Sequence, residues 1–409
     1  MTAADFPLRP LGQIAENHDA KRRPVKASNR RPGPYPYYGA QGIVDHVEEY
    51  LFDGEFVLVA EDGENLRSRK EDVALLANGK FWVNNHAHIL RGSSVTMTRF
   101  LLYAINQADI SGYVTGSTIP KLSQGSLNRI LLPCPPIGIQ KSIVDLLGAL
   151  DDKIELNRRM NETLEAMARA IFRDWFVDFG PTRARMEGRA PYLAPDIWTL
   201  FPDRLDDDGK PKEWRSEPLD GIADFLNGLA LQKFPPVGQD DLPVIKIAQL
   251  RTGSADGGGL AASSIPARYV VEDGDVLFSW SGSLTQVVWT GGRGALNQHL
   301  FKVTSDHYQK WLHYFWVDYH LPEFQAIAAS KATTMGHIQR HHLSEAATMI
   351  GSDGVMAAAD SLLAPLFDRM IANALENRTL AATRDLLLPK LMSGEIRIRD
   401  AEAMIADAA

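Results

Sequence analysis

The chain is written twice. Pro10-Leu11-Gly12-Gln13-Ile14-Ala15-Glu16 returns as Pro218-Leu219-Asp220-Gly221-Ile222-Ala223-Asp224, and Asp53-Gly54-Glu55-Phe56-Val57-Leu58 returns as Asp273-Gly274-Asp275-Val276-Leu277-Phe278. Asn84-Asn85-His86 is echoed by Asn297-Gln298-His299, and Asn161-Glu162-Thr163-Leu164 by Asn377-Arg378-Thr379-Leu380. Four echoes in one order at a nearly constant interval mark an internal duplication. Whatever fold the first copy adopts, the second must adopt again. The 409 residues therefore hold two like units, in keeping with a length beyond one typical domain.

Each copy opens with a segment rich in glycine, aromatics and short strands. Glu55–Ala60, Phe81–Val83, Asp275–Trp280 and Gln286–Thr290 alternate or run apolar between turn residues, as strands do. Each copy closes in a long helical pattern. The expected division is a globular unit over 1–138, a long helix over 139–179, a connector over 180–213, a second globular unit over 214–352, a second long helix over 353–394 and a tail over 395–409. The connector carries Gly180-Pro181, Pro191, Pro195, Pro202, Asp208-Gly209 and Pro211, a density of turn formers that predicts irregular chain.

The two helices share a seam. Steps of four and three residues give Ile143, Leu147, Leu150, Ile154, Asn157, Asn161, Leu164, Ala168, Ile171 and Trp175 in the first. A constant offset of 216 residues gives Ala359, Leu363, Leu366, Met370, Asn373, Asn377, Leu380, Arg384, Leu387 and Leu391 in the second. Asparagine falls at the same two steps. Buried in a seam, it costs stability and selects the register in which it meets a polar partner. The simplest arrangement pairs the helices antiparallel as an intramolecular coiled coil, a rod of roughly 50 Å at about 1.5 Å per residue. The competing arrangement lays each helix on its own globular unit. Pro365 and Pro389 are expected to bend or end the second helix near its tips. The fold class is α+β: two similar globular domains joined by two long antiparallel helices, with a pseudo-twofold repeat.

Composition narrows the chemistry. A formal charge of −8 suits a free-standing nucleic-acid binder poorly, because phosphate contacts demand basic surface. Basic residues do cluster at Lys21, Arg22, Arg23, Lys26, Arg30 and Arg31, and acidic ones at Asp203, Asp206, Asp207 and Asp208. A single cysteine, Cys134, permits no intrachain disulfide, and no Cys/His cluster has the spacing of a four-ligand zinc site. The N-terminal MTAADFPLRP lacks the basic-then-apolar order of a signal peptide, and no run approaches the roughly 18 apolar residues of a membrane span. A cytoplasmic location is expected.

Catalytic signatures fail on inspection. Pro202-Asp203 followed by Asp208-Gly209-Lys210 imitates a metal-dependent nuclease motif, but in a turn-rich stretch with no apolar strand to aim the carboxylates. No Asn/Asp-Pro-Pro-aromatic motif of a DNA methyltransferase occurs, and Gly79-Lys80 and Gly209-Lys210 lack the remainder of a phosphate loop. His86 and His88 share one side of a strand, yet the second copy keeps only His299; a hydrogen-bonded pair is the simpler account. His337, His341 and His342 also crowd together. No catalytic residue, metal site or cofactor is expected in this chain.

The sequence resembles the specificity subunits of type I restriction–modification enzymes along almost its whole length. The resemblance rests on Tyr37-Tyr38-Gly39-Ala40-Gln41-Gly42, on Gly116-Ser117-Thr118-Ile119-Pro120-Lys121-Leu122, and on Pro133-Cys134-Pro135-Pro136 running into Gln140-Lys141-Ser142-Ile143. Asn377-Arg378-Thr379-Leu380 and Leu387-Leu388-Pro389-Lys390-Leu391-Met392-Ser393-Gly394-Glu395 add to it. It implies two target-recognition domains, each reading half of a split, asymmetric site on double-stranded DNA. The helices would act as a ruler for the spacer and dock two modification (methyltransferase) subunits, which carry the S-adenosylmethionine chemistry. Restriction (translocase/nuclease) subunits can join them. One departure stands out: Thr333-Thr334-Met335-Gly336-His337-Ile338 replaces Ser117-Thr118-Ile119-Pro120-Lys121-Leu122, turning lysine to histidine.

Base edges are read by polar side chains, and phosphate contacts fix orientation. The candidates in the first unit are Tyr37, Tyr38, Gln41, Ser117, Thr118 and Lys121, with Gly39 and Gly42 allowing a tight loop. In the second they are Lys246, Gln249, Arg251, Ser281, Ser283, Thr334, His337 and Arg340. Other roles compete: Tyr37 and Tyr38 as half-buried strand residues, Ser117-Thr118 as caps of a following helix. The rival function is a scaffold whose duplicated units bind protein.

Overall fold

The computed structural model describes residues 6–330 and 336–408. They fall into two compact units that do not follow chain order: residues 1–153 with 379–409, and residues 154–378.

The first unit contains strands β1 (Leu8–Pro10), β2 (Ala15–Asn17), β3 (Tyr35–Gly39), β4 (Gly42–Val47), β5 (Phe52–Asp53), β6 (Phe56–Ala60), β7 (Ala74–Ala77), β8 (Lys80–Val83), β9 (Ala87–Gly92) and β10 (Leu131–Pro133). They form a β1-β10 pair, a sheet of order β2-β9-β6-β7 and a sheet of order β4-β3-β8-β5 in which β3 and β8 run parallel. β6 reads Phe-Val-Leu-Val-Ala because both its faces are buried. Side chains alternate across a strand, so Val57 and Val59 enter one core with the helix Thr98–Gln107, while Phe56 and Leu58 enter a second with Phe52 and Phe81.

The second unit repeats this plan. Its strands are β11 (Arg215–Pro218), β12 (Asp224–Asn227), β13 (Leu242–Ile245), β14 (Leu260–Ala261), β15 (Val270–Val271), β16 (Val276–Ser279), β17 (Gln286–Val288), β18 (Gly294–Leu296), β19 (Leu300–Thr304) and β20 (Ala347–Ile350). The sheets are β11-β20, β12-β19-β16-β17 and β14-β13-β18-β15, with β13 and β18 parallel. Strand for strand this is the first unit's topology, down to the one parallel pair. The duplication seen in the sequence is a duplication of fold.

The long helices run Ile137–Phe172, continued by a π-helical turn at Arg173–Val177, and Asp353–Ser393. Each serves both units. Ile143, Val144 and Leu147 join Leu387, Leu391 and Met392 in the core of the first. Ala168 and Phe172 join Ala359, Leu363 and Phe367 in the core of the second. Antiparallel pairing is fixed in the second unit by the seam asparagines. Asn157 Nδ2 donates to Asn377 Oδ1 at 3.0 Å and Asn373 Nδ2 to Asn161 Oδ1 at 2.8 Å. The remaining amides donate to helix backbone: Asn377 to the Ile154 carbonyl at 3.2 Å, Asn161 to that of Met370 at 2.9 Å. The repeat offset of 216 carries Asn157 forward to Asn373 and Asn377 back to Asn161, so the two pairs are symmetry mates. Ile154 is buried beside them, Leu164, Leu366, Met370 and Leu380 are half-buried, and in the first unit Leu150 is buried and Arg384 pairs with Asp151 at 2.8 Å.

Four expectations need correction. The second helix passes through Pro365 and Pro389 without ending; each proline forfeits one backbone bond, which packing of the remaining face outweighs. The connector is irregular except for two short helices, Gly180–Met186 and Pro195–Trp198, with proline in the first turn of each, where its missing N–H costs nothing. Residues Ile398–Ala408 of the tail form a helix whose Ala401 is buried in the first unit's core. The helices Thr98–Gln107 and Lys310–Ser330 lie where strand-rich chain was expected; the second is buried at nearly every position from Trp311 to Val317 and so shows no helical stripe there. Among the described residues no helix is long and apolar enough to cross a membrane.

Two stability predictions follow from the second unit, which holds seven of the eight tryptophans and so dominates intrinsic fluorescence. Asn373→Ala leaves Asn161 Oδ1 without its donor and should cost about 1–3 kcal/mol in urea unfolding, whereas Asn161→Leu with Asn373→Leu together should recover most of it. His313 is 2% exposed with neither ring nitrogen hydrogen-bonded, and burial pushes its pKa down to about 4. Below pH 6.5 the unfolded chain binds a proton that the folded chain refuses, so stability falls as pH drops from about 6.5 to about 4, by up to about 3 kcal/mol. His313→Leu should flatten that slope, and an unchanged slope would clear His313 of the effect.

Candidate nucleic-acid interface

In the first unit the polar candidates sit on two loops. β3 and β4 are joined by Ala40-Gln41, closed by Gly42 at φ +118°. Gln41 is exposed, with Ile43 and Val44 exposed beside it. The second loop is cinched at its base, where Thr115 N donates to the Lys121 carbonyl at 2.8 Å and Lys121 N to that of Thr115 at 2.7 Å. Gly116 makes the closure possible: its φ is +89°, and a Cβ there would lie 2.2 Å from the Ile119 carbonyl oxygen. Ser117, Thr118 and Ile119 stand exposed at the tip. They cap nothing, since the helix Gln124–Leu127 is capped by Ser123, whose Oγ accepts from Ser126 N at 3.2 Å.

A chain of contacts links the two loops. Asn84 N donates to the Tyr38 carbonyl at 3.0 Å, and Asn84 Oδ1 accepts from His86 N at 2.7 Å. His86 Nδ1 meets Asp62 Oδ2 at 2.7 Å, and Asp62 is the bridge partner of Lys121. Lys121 Nζ lies 3.3 Å from Glu61, whose other oxygen takes Arg22 at 2.6 Å. Glu61 and Asp62 were not among the sequence candidates, while Arg22 and His86 stood there only as members of the basic stretch and of the histidine pair. The echo of Asn84-Asn85-His86 in the second copy is a signal for His86 alone.

In the second unit Lys246 and Arg251 are exposed at the ends of the short helix Ile247–Thr252, and Ser283 is exposed between β16 and β17. His337 is half-buried, its ring edge-on to Trp280 at 6.3 Å. Arg340 is exposed but donates to the Phe225 carbonyl at 3.1 Å. Thr334 lies outside the described residues. Of the others, Tyr38 is half-buried against Phe81.

Three candidates are withdrawn as direct contacts. Tyr37 is 1% exposed, its hydroxyl accepting from Val25 N at 3.0 Å and its ring carrying the Arg30 guanidinium at 4.2 Å. Gln249 is 5% exposed, accepting from Lys246 N and donating to the Asp256 carbonyl. Ser281 is 3% exposed, with Oγ on His299 Nδ1 at 2.9 Å. Each is polar because it satisfies buried backbone or ring groups, and a polar residue in a loop does not betray that from sequence.

The basic stretch is half spent internally. Arg22 is held by Glu61, Arg30 by Asp45 at 3.1 Å and Arg31 by Glu48 at 3.2 Å, while Lys21, Arg23 and Lys26 are exposed. The nuclease-like carboxylates serve a lysine: Lys210 Nζ lies 2.5 Å from Asp206 and 3.0 Å from Asp208. His88 is buried, its ring between Asp19 at 2.5 Å and the Leu122 carbonyl at 2.7 Å, which leaves no nitrogen for a metal. His341, His342 and Glu345 bring ligand atoms within 4.8 Å of one another on one short helix.

Residues 4–166 match the family model described as the type I restriction modification DNA specificity domain. The type I restriction enzyme HindI specificity subunit of Haemophilus influenzae is 23% identical over 394 residues, covering 84% of each chain. A further specificity-subunit homologue from that organism is 40% identical over 150 residues, 37% of this chain and 38% of that one. The MjaIX specificity subunit of Methanocaldococcus jannaschii is 27% identical over 303 residues, 71% of this chain and 66% of the other. Residues 4–166 thus carry the DNA specificity domain of type I restriction–modification enzymes, and the chain as a whole resembles their specificity subunits. Its fold also resembles the crystal structure of the type I restriction–modification S subunit from M. genitalium, with a TM-score of 0.59 at 13% identity over 96% of this chain and 99% of that one.

The family model reaches only the first copy of the domain. The second carries the same strand order on a diverged sequence. The loop closure in the first copy is directly testable. Gly116→Ala should speed amide exchange at Thr115 and Lys121 at least tenfold, since breaking two paired amides costs about 1–3 kcal/mol, while β6 and β9 amides stay protected. Unchanged exchange at the loop base would show that the glycine is dispensable.

Proposed function

We propose that this chain tells a type I restriction–modification complex which DNA to act on, each unit reading one half of a split asymmetric site. The observation that carries this is one fold built twice with different side chains on its loops. A symmetric reader would keep the loops alike. In this proposal the chain acts by binding alone, in the cytoplasm, and holds no cofactor. Two modification subunits dock on it and bring the S-adenosylmethionine chemistry, and restriction subunits can join. The paired helices set the spacer between half-sites.

Methylome sequencing of the host with and without this gene tests it. A bipartite motif should vanish on deletion, and its persistence would refute the assignment. Retention of DNA by the chain together with its modification partner should fall steeply with salt and favour the motif; protein binding without DNA selectivity would establish a scaffold instead. Removing one heptad from each helix should shorten the spacer or abolish modification. Normal activity at the old spacing would exclude the ruler.

A further inference from the structure

The two units share a backbone frame at the base of their loops that is independent of side chains. In the first, Leu122 N donates to the Glu61 carbonyl at 2.8 Å, Gly63 N donates to that of Pro120 at 3.1 Å, and Asp62 bridges Lys121. In the second, Ile338 N donates to the Trp280 carbonyl at 3.0 Å, Gly282 N donates to that of Gly336 at 2.8 Å, and Ser281 bridges His337. A histidine closes each frame on the same partner position: His86 on Asp62 at 2.7 Å, His299 on Ser281 at 2.9 Å. Both histidine N–H groups are received by an asparagine two residues earlier. The frame equates Glu61 with Trp280, Asp62 with Ser281, and Lys121 with His337. The histidine is constant and the other three positions differ in charge.

We infer that this frame determines half-site specificity, and that in the first unit Lys121 and Asp62 together read one G·C pair in the major groove. The chemistry follows from their adjacency across the bridge. An ammonium suits the guanine O6/N7 edge and a carboxylate accepts from the cytosine amino group, so the two form a matched donor and acceptor for one pair. Both are accessible: the Lys121 side chain is 55% exposed and that of Asp62 28%. Glu61 is a positioning residue, 15% exposed, which holds Lys121 from below. The second unit offers a different surface, Trp280 tilted against His299 with ring centroids 5.8 Å apart and Ser281 buried, and so must select a different pair.

This rests on the proposed DNA-reading function and deepens it. The test uses the full chain with its modification partner. Asp62→Ser with Lys121→His installs the second unit's side chains on the same backbone. One G·C position in one half of the methylated motif should become degenerate while the other half is unaltered. An unchanged motif overturns the inference. Oligonucleotides with 7-deazaguanine across that half provide the second measurement on the unmodified chain: one position should lose about tenfold in retention, and Lys121→Ala should erase that sensitivity. Equal retention at every guanine refutes the inference even if the double variant fails to assemble. A host in which no motif depends on the chain refutes the proposed function itself, a result distinct from either.

Discussion

Four asparagine side chains set the register of the helix pair. An amide inside an apolar seam must find a partner or lose about 1–3 kcal/mol. Here Asn157 meets Asn377 and Asn161 meets Asn373, with the spare donors placed on the Ile154 and Met370 carbonyls. A slip by one heptad toward the start of the second helix would set Asn157 against Met370, Asn161 against Leu366, Asn373 against Ile154 and Asn377 against Leu150. Because one pair is the image of the other under the repeat, duplication of a single helix supplied a self-complementary lock. The cost in seam hydrophobicity is repaid as one defined register.

From that register follows the unusual partition of the chain. Each long helix lends one end to each core, so the first unit is completed by residues from the far end of the sequence. Leu387, Leu391, Met392 and Ala401 are buried with Phe100, Leu132 and Leu147. The first copy of the fold therefore lacks part of its core until the last thirty or so residues are in place, a long loop closure whose entropy grows only slowly with length. The second unit suffers no such delay, because its helical segments flank it directly.

Most of the architecture was legible because duplication and heptad spacing are one-dimensional signals. The seam and both asparagine steps could be found by counting, and the strands β6 and β16 by their apolar runs. What escaped was decided in three dimensions. Lys310–Ser330 is buried on so many sides that periodicity vanishes, and Pro181 and Pro195 start helices instead of breaking them. At the site, Ser117 and Thr118 are exposed at a loop tip, whereas Tyr37, Gln249 and Ser281 are polar for internal reasons. Glu61 and Asp62, directly after β6, carry no motif of their own; only the bridge to Lys121 gives them meaning.

The charge balance finally bears on how such a protein can hold DNA. Arg22, Arg30 and Lys121 each already sit on a carboxylate. A phosphate must displace that carboxylate to claim the cation, so much of the counterion-release gain that drives simple DNA binders is offset by a broken ion pair. A net charge of −8 adds a general repulsion. Under the proposed function, affinity then has to come from partner subunits, while this chain contributes discrimination: its prealigned cations and carboxylates favour a base edge that satisfies both over a phosphate that satisfies one. An acidic sequence is thus consistent with a reader whose selectivity exceeds its grip.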